Sequence, residues 1–277
     1  MRRVVSVPLL VLVGTGACAA GLPGSIEWPC GDPVDPFIDE PSPEEDGVVD
    51  EGEPDAPRTE PLVVEDAAPD AGPVPQGLDA DALVALSSEA CFAQLDEWQV
   101  PYERVSSAPS GITDPVRLTG PVAGVNYVIP WRVTNHHDVL DCRLAAALAE
   151  WSVALRALDV VEVRIYSFFR RGSRQGVGTA SSGRRSQHHY GLAIDLRWLV
   201  LESGEVLDVL ADWRDPGTDE TCDGSVDDPR AAVLLAAYCG AWAARLFHVQ
   251  LSPAHNREHA NHFHLDLGGG NGGWYLD

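Results

Sequence analysis

Positive charge is scarce in this chain: 19 Lys and Arg stand against 42 Asp and Glu, a formal net charge of −23. An acidic chain repels phosphate backbones, and no glycine-rich phosphate loop occurs, so nucleic acid is not an expected partner. Long apolar runs are also lacking. The longest near the start, Val4 to Val13 behind Arg2-Arg3, is too short to span a bilayer as a mature helix. Residues 1–20 therefore read as an export signal. Thr15-Gly16-Ala17-Cys18 has the small residues that precede a lipidated cysteine, with plain cleavage after Ala17 or Ala20 as the alternative. Membrane contact is expected only through such a lipid on Cys18. No pair of cysteines shows the Cys-x-x-Cys interval, which excludes a thiolate zinc site by spacing.

Residues 21–77 hold Pro, Asp, Glu, Gly and Ala with few large apolar side chains. Between Gly31 and Asp70 there are fifteen carboxylates and one cation, Arg58. Such a segment cannot bury enough apolar surface to offset chain entropy, so a disordered, acidic tether is expected.

Residues 78–277 suit one domain with a substantial core. Helical spacing runs from Leu78 to Trp98, with Leu83, Leu86, Ala90 and Ala93 on one side. Between Pro101 and Val133, short apolar runs broken by Gly and Pro suggest strands and turns. Asp141 caps a second helix carrying the stripe Leu144, Leu148, Trp151, Leu155 and Leu158, and a third follows Asp227-Asp228-Pro229, from Arg230 to about Phe247. Strands are expected at Val160–Phe168 and after Gly191, the latter returning through a hairpin at Glu202-Ser203-Gly204. The fold class is α+β: a mainly antiparallel central sheet flanked by helices, with the functional site at strand ends. In an exported chain Cys91, Cys142, Cys222 and Cys239 form two disulfides in one of three connectivities, leaving Cys30 over.

The chemistry concentrates in two stretches. In Ser186-Gln187-His188-His189-Tyr190-Gly191-Leu192-Ala193-Ile194-Asp195, Gly191 is where the backbone bends into the strand. Alternation then sets Ala193, Asp195 and Arg197 opposite Leu192, Ile194, Leu196 and Trp198. In the second stretch, from Asn261 onward, the same alternation puts His262, His264 and Asp266 on one face and Phe263, Leu265 and Leu267 on the other. An imidazole and a carboxylate from the first stretch and an imidazole from the second are the donors a catalytic zinc uses, with a fourth position kept for water. Isolated histidines are more often surface or core residues. Five of nine falling in two short clusters argue otherwise here.

Ser-x-His-x-x-Gly-x-Ala-x-Asp at 186–195, followed some seventy residues later by His-x-His, resembles the zinc peptidases of the D-alanyl-D-alanine carboxypeptidase and murein endopeptidase superfamily. Within it, the bacterial extensin-like C-terminal domain is most similar, over roughly residues 85–277. The resemblance implies zinc held by His188, Asp195 and His264, with His262 and His259 assisting catalysis as in penicillin-insensitive murein endopeptidases. Carboxypeptidase members place a Glu base where this chain has Asn261, so that the role falls to His262 or is absent. Arg170, ahead of Arg171, is the expected cation that holds a substrate carboxylate or polarises the scissile carbonyl. Asp266 could orient an imidazole, Glu258 is a proton carrier of lower rank, and Ser186 supports the turn. The implied activity is zinc-dependent hydrolysis of peptidoglycan peptide bonds in the cell envelope, periplasmic or outer-membrane-anchored. Two alternatives are a zinc-containing wall-binding lipoprotein without turnover and a structural lipoprotein whose histidines bind nothing.

Overall fold

The structure, a computed structural model, describes residues 77–131, 133, 136–171, 186–218, 221–268 and 273–277. The expected export signal, Cys18, Cys30, the tether up to residue 76 and all of residues 172–185, rich in Gly, Ser and Arg, lie outside the described residues.

Two helices open the domain, α1 (Ala80–Ala85) and α2 (Ser88–Glu97), where the spacing predicts one. Ser87 is the reason: it is extended and its hydroxyl accepts from Ala90 N at 3.2 Å, so a new N-cap restarts the helix. The restart rotates the buried face. Cys91, Leu95 and Trp98 point inward, and Ala90 and Ala93 face solvent. Next come β1 (Tyr102–Arg104), β2 (Pro115–Leu118), β3 (Asn126–Val128) and β4 (Leu140–Asp141); β1, β2 and β4 form a small antiparallel sheet. The helix expected after Asp141 is α3 (Cys142–Arg156), capped by that carboxylate accepting from Arg143 N at 3.0 Å. Its stripe is core: Leu144, Leu148, Trp151 and Leu155 are fully buried, and Trp151 Nε1 donates to Ala237 O at 3.1 Å.

The remaining elements are β5 (Val160–Ile165), β6 (Ala193–Leu201), β7 (Val206–Asp208), α4 (Val209–Asp212), α5 (Pro229–Ala243), β8 (Val249–Leu251), β9 (Phe263–Asp266) and β10 (Tyr275–Leu276). Helix α5 stops four residues short of the expected Phe247. Arg245 takes a left-handed φ of 54°, and Arg245 N and Leu246 N bond back to Trp242 O and Ala241 O, a Schellman stop that releases Phe247 into the core.

The main sheet runs β10-β8-β9-β6-β5-β3, with β7 paired to β6 through the hairpin at 202–204. Its inner pairs are antiparallel; β10 with β8 and β3 with β5 are parallel. One face, including Val163, Ile165, Ile194, Leu196, Phe263 and Leu265, packs in one core with α3 and α5. The opposite face carries the polar residues. Alternation along β6 slips once, because Ile165 pairs Leu196 while Arg164 pairs Trp198, leaving Arg197 as an extra residue. This bulge moves Leu199 into the core and Trp198 onto the polar face, beside Tyr166, where strict alternation places Trp198 inside.

Of the three possible disulfide patterns the chain adopts Cys91–Cys142, tying α2 to the start of α3, and Cys222–Cys239, tying a 3-10 turn to α5. Sequence separations of 51 and 17 set their worth through loop closure. Replacing both Cys91 and Cys142 by Ser is expected to cost about 4 kcal/mol and the other pair about 3 kcal/mol. Urea unfolding midpoints of the two double variants check the order; equal midpoints would contradict it.

Candidate metal centre

Three elements deliver the centre. Ser186 caps a short 3-10 turn, Gln187–Tyr190, which Gly191 ends at φ 65°, a left-handed conformation costly for any other residue. Space makes the same demand, since a Cβ at Gly191 would sit 2.9 Å from Asp141 N. The tight turn holds His188 fully buried against the beginning of β6. Asp195 on β6 and His264 on β9 are register partners in the antiparallel ladder, so their side chains leave the same face side by side.

The geometry closes on one oxygen. His188 Nε2 lies 3.0 Å and His264 Nδ1 2.9 Å from Asp195 Oδ1, and the two nitrogens are 3.3 Å apart. Outer contacts fix which ring nitrogens face inward. His188 Nδ1 lies 2.9 Å from Phe168 O, an oxygen that only accepts, so Nδ1 carries the hydrogen and Nε2 turns its lone pair inward. His264 Nε2 lies 2.9 Å from Asp266 Oδ2, which likewise leaves Nδ1 facing Asp195. Asp266 therefore takes the orienting role expected of it. Two imidazole nitrogens and a carboxylate oxygen, all buried and directed at a shared point, form a group that could hold a cation.

The protonation states agree. Burial lowers the His188 pKa, keeping that ring neutral. Burial also opposes charge on Asp195, but the Arg170 guanidinium and the neighbouring imidazoles hold its carboxyl well below the usual range. On His264 burial is outweighed by its hydrogen bonds to Asp195 and Asp266, and the pKa is pushed up to about 9. In the metal-free protein the proton of His264 is thus the cation of the centre, and a divalent ion would displace it. By donor type, count and tautomer the residues fit zinc, with His188, Asp195 and His264 as the set that would hold it.

Around this set stand the other expected residues. His262 Nε2 lies 3.5 Å from Asp195 Oδ1, and its Nδ1 is 2.8 Å from Asn261 Oδ1. Its pKa is lowered by burial to about 4. His259 packs against the rings of His262 and His264, with Nδ1 2.8 Å from Asn256 Oδ1, and burial and those two imidazoles lower it to about 3. Both rings are neutral at pH 7. Glu258 is exposed, and it joins the site's hydrogen bonds through its backbone N–H, which donates to Asn256 Oδ1. Arg170 reaches the site, but its Nη2 lies 2.8 Å from Asp195 Oδ2. There the guanidinium neutralises the Asp195 carboxylate. Beside it a cavity of about 670 Å³ is lined by His136, His137, Phe169, Arg170 and Arg171.

Reading the sequence missed Tyr166, whose hydroxyl accepts from Asn261 Nδ2 at 3.2 Å and whose ring stands edge-on to His262. Nothing local marks Tyr166, since it joins the site only through strand pairing. It also missed Asn256, although an Asn three residues before His259 is a legible cap signal: Oδ1 accepts from Glu258 N and His259 N.

No curated protein and no solved structure matches the chain. Residues 89–275 match the family described as extensin-like protein C-terminus, a span that takes in both halves of the centre and all the elements from α2 to β9. The chain therefore belongs to the extensin-like C-terminal family.

Proposed function

We propose that this protein is a zinc-dependent hydrolase acting on peptide bonds of peptidoglycan in the cell envelope. The observation that carries the reading is the convergence of His188 Nε2, His264 Nδ1 and Asp195 Oδ1 with both tautomers preset by outer hydrogen bonds. The peptidoglycan substrate rests on the resemblance of the two motifs to the murein peptidases. Two disulfides suit an oxidising compartment, which agrees with export.

Zinc bound at such a set would supply a Lewis acid that polarises a carbonyl and brings water within reach of deprotonation near neutral pH. The chain's own residues supply the rest. His262, neutral at pH 7 and with Nε2 directed at the centre, accepts the proton of the attacking water and returns it to the leaving amine. Arg170 holds Asp195 ionised and, 40 % exposed, lines the neighbouring cavity. Buried Phe169 lines the cavity beside Arg170.

A second reading, a zinc-containing wall-binding module without turnover, draws support from Asn261 at the position of the carboxypeptidase Glu and from the engagement of Arg170 with Asp195. The full chain loaded with zinc and incubated with purified peptidoglycan separates the two. One equivalent of zinc and new free peptide ends, read by mass, are expected. Retained zinc and wall affinity without products from several wall chemotypes would replace the hydrolase by the binding module.

A further inference from the structure

The residue that stands where a general-base carboxylate is absent has a structural task of its own. Asn261 is gripped on three sides. Its carbonyl accepts from Arg197 Nη1 at 3.1 Å, and Arg197 is itself anchored on Asp208 at 2.8 Å. Its amide nitrogen donates to Tyr166 Oη at 3.2 Å, and its amide oxygen faces His262 Nδ1 at 2.8 Å. Arg197 is the bulge residue of β6, and Tyr166 directly follows β5. Two strands thus hold Asn261, one at its backbone carbonyl and one at its side-chain amide, before it touches a histidine.

An amide has a donor end and an acceptor end, and which end meets an imidazole decides the tautomer. With oxygen toward His262, Nδ1 must carry the hydrogen. The Nε2 lone pair then faces Asp195 Oδ1, 3.5 Å away. With the amide reversed, Nε2 would carry the hydrogen and the ring could accept nothing on the side of the centre. We propose that Asn261 is the positioning residue of this site: with its backbone pinned by Arg197 and its amide nitrogen held on Tyr166 Oη, its amide oxygen locks His262 with its accepting nitrogen toward the His188–Asp195–His264 centre. Asn256 repeats the arrangement on His259, at 2.8 Å. A carboxylate at position 261 is dispensable in this design, because the proton acceptor is the imidazole and the side chain at 261 aims it.

The kinetic arm rests on His262 acting as proton acceptor; the spectroscopic arm does not. The ¹⁵N shifts of His262 in the full-length protein labelled at histidine report the tautomer without any substrate or metal. The wild type is expected to show a single Nδ1–H form. Asn261→Ala is expected to give a mixture of tautomers, and Asn261→Asp, which keeps an acceptor, to restore Nδ1–H. Where the hydrolase is active, kcat in Asn261→Ala falls about 10- to 100-fold while zinc content and KM hold, with recovery in the aspartate variant. Tyr166→Phe, which frees the amide to rotate, gives the same mixture should the alanine variant fail to fold. A wild-type His262 protonated on Nε2, or a spectrum unchanged in Asn261→Ala or in Tyr166→Phe, overturns the proposal. Absent turnover with the expected spectra would count against the hydrolase and leave the positioning role intact.

Discussion

The His264→Ala variant is expected to retain no stoichiometric zinc, with an affinity lower by more than about a hundredfold, the upper cost of losing an outer-sphere partner, since here a direct donor is removed. Two donors, His188 Nε2 and Asp195 Oδ1, remain. Asp195 keeps its contact with Arg170, so the carboxylate is not left unpaired and the fold should survive. Metal content after dialysis, with a chelator competition for affinity and circular dichroism for folding, reads the outcome. Zinc content equal to wild type would remove both the hydrolase and the binding module at once. His136→Ala serves as the control, because His136 lines the neighbouring cavity without belonging to the ligand group.

In His262→Ala, zinc is expected to stay bound and the proposed hydrolysis to drop by about 10²- to 10⁴-fold, the usual worth of a positioned acid–base group. His262 lies close enough to Asp195 to serve the centre, yet its Nδ1 is committed to Asn261 and it adds no atom to the ligand group. His259→Ala should fall by less, because its described contacts are with the rings of His255, His262 and His264 and with Asn256. Turnover rates of the two variants under equal zinc loading decide the ranking. A His262→Ala enzyme as fast as wild type would move the base to His259, and the larger loss in His259→Ala would do the same.

Much of the centre was legible because strand alternation is local arithmetic. Polar Asp195 beside Ile194 and Leu196, and His264 beside Phe263 and Leu265, can sit at an interior sheet position only with the apolar set in the core, so the shared polar face follows from spacing alone. Capping is equally local: Asp141 and Asp228 announce α3 and α5 within four residues of themselves. The restart at Ser87 was local too, but it was masked by apolar spacing that continues across the break.

By itself, then, the sequence determined the α+β class, the main helices, the turn at Gly191 and the two stretches that supply the donors, since each depends on neighbours within a turn or a strand; the choice between His262 and His264 in the second stretch came from the resemblance. Only the tertiary structure decided the rest. That β6 pairs with β9 across 69 residues, that a bulge at Arg197 swaps Trp198 for Leu199, that Arg170 lands on Asp195 and that Tyr166 and Arg197 grip Asn261 all depend on register between distant strands. Register is a property of the whole packed sheet, set by which side chains fill the core together, and no single segment carries it.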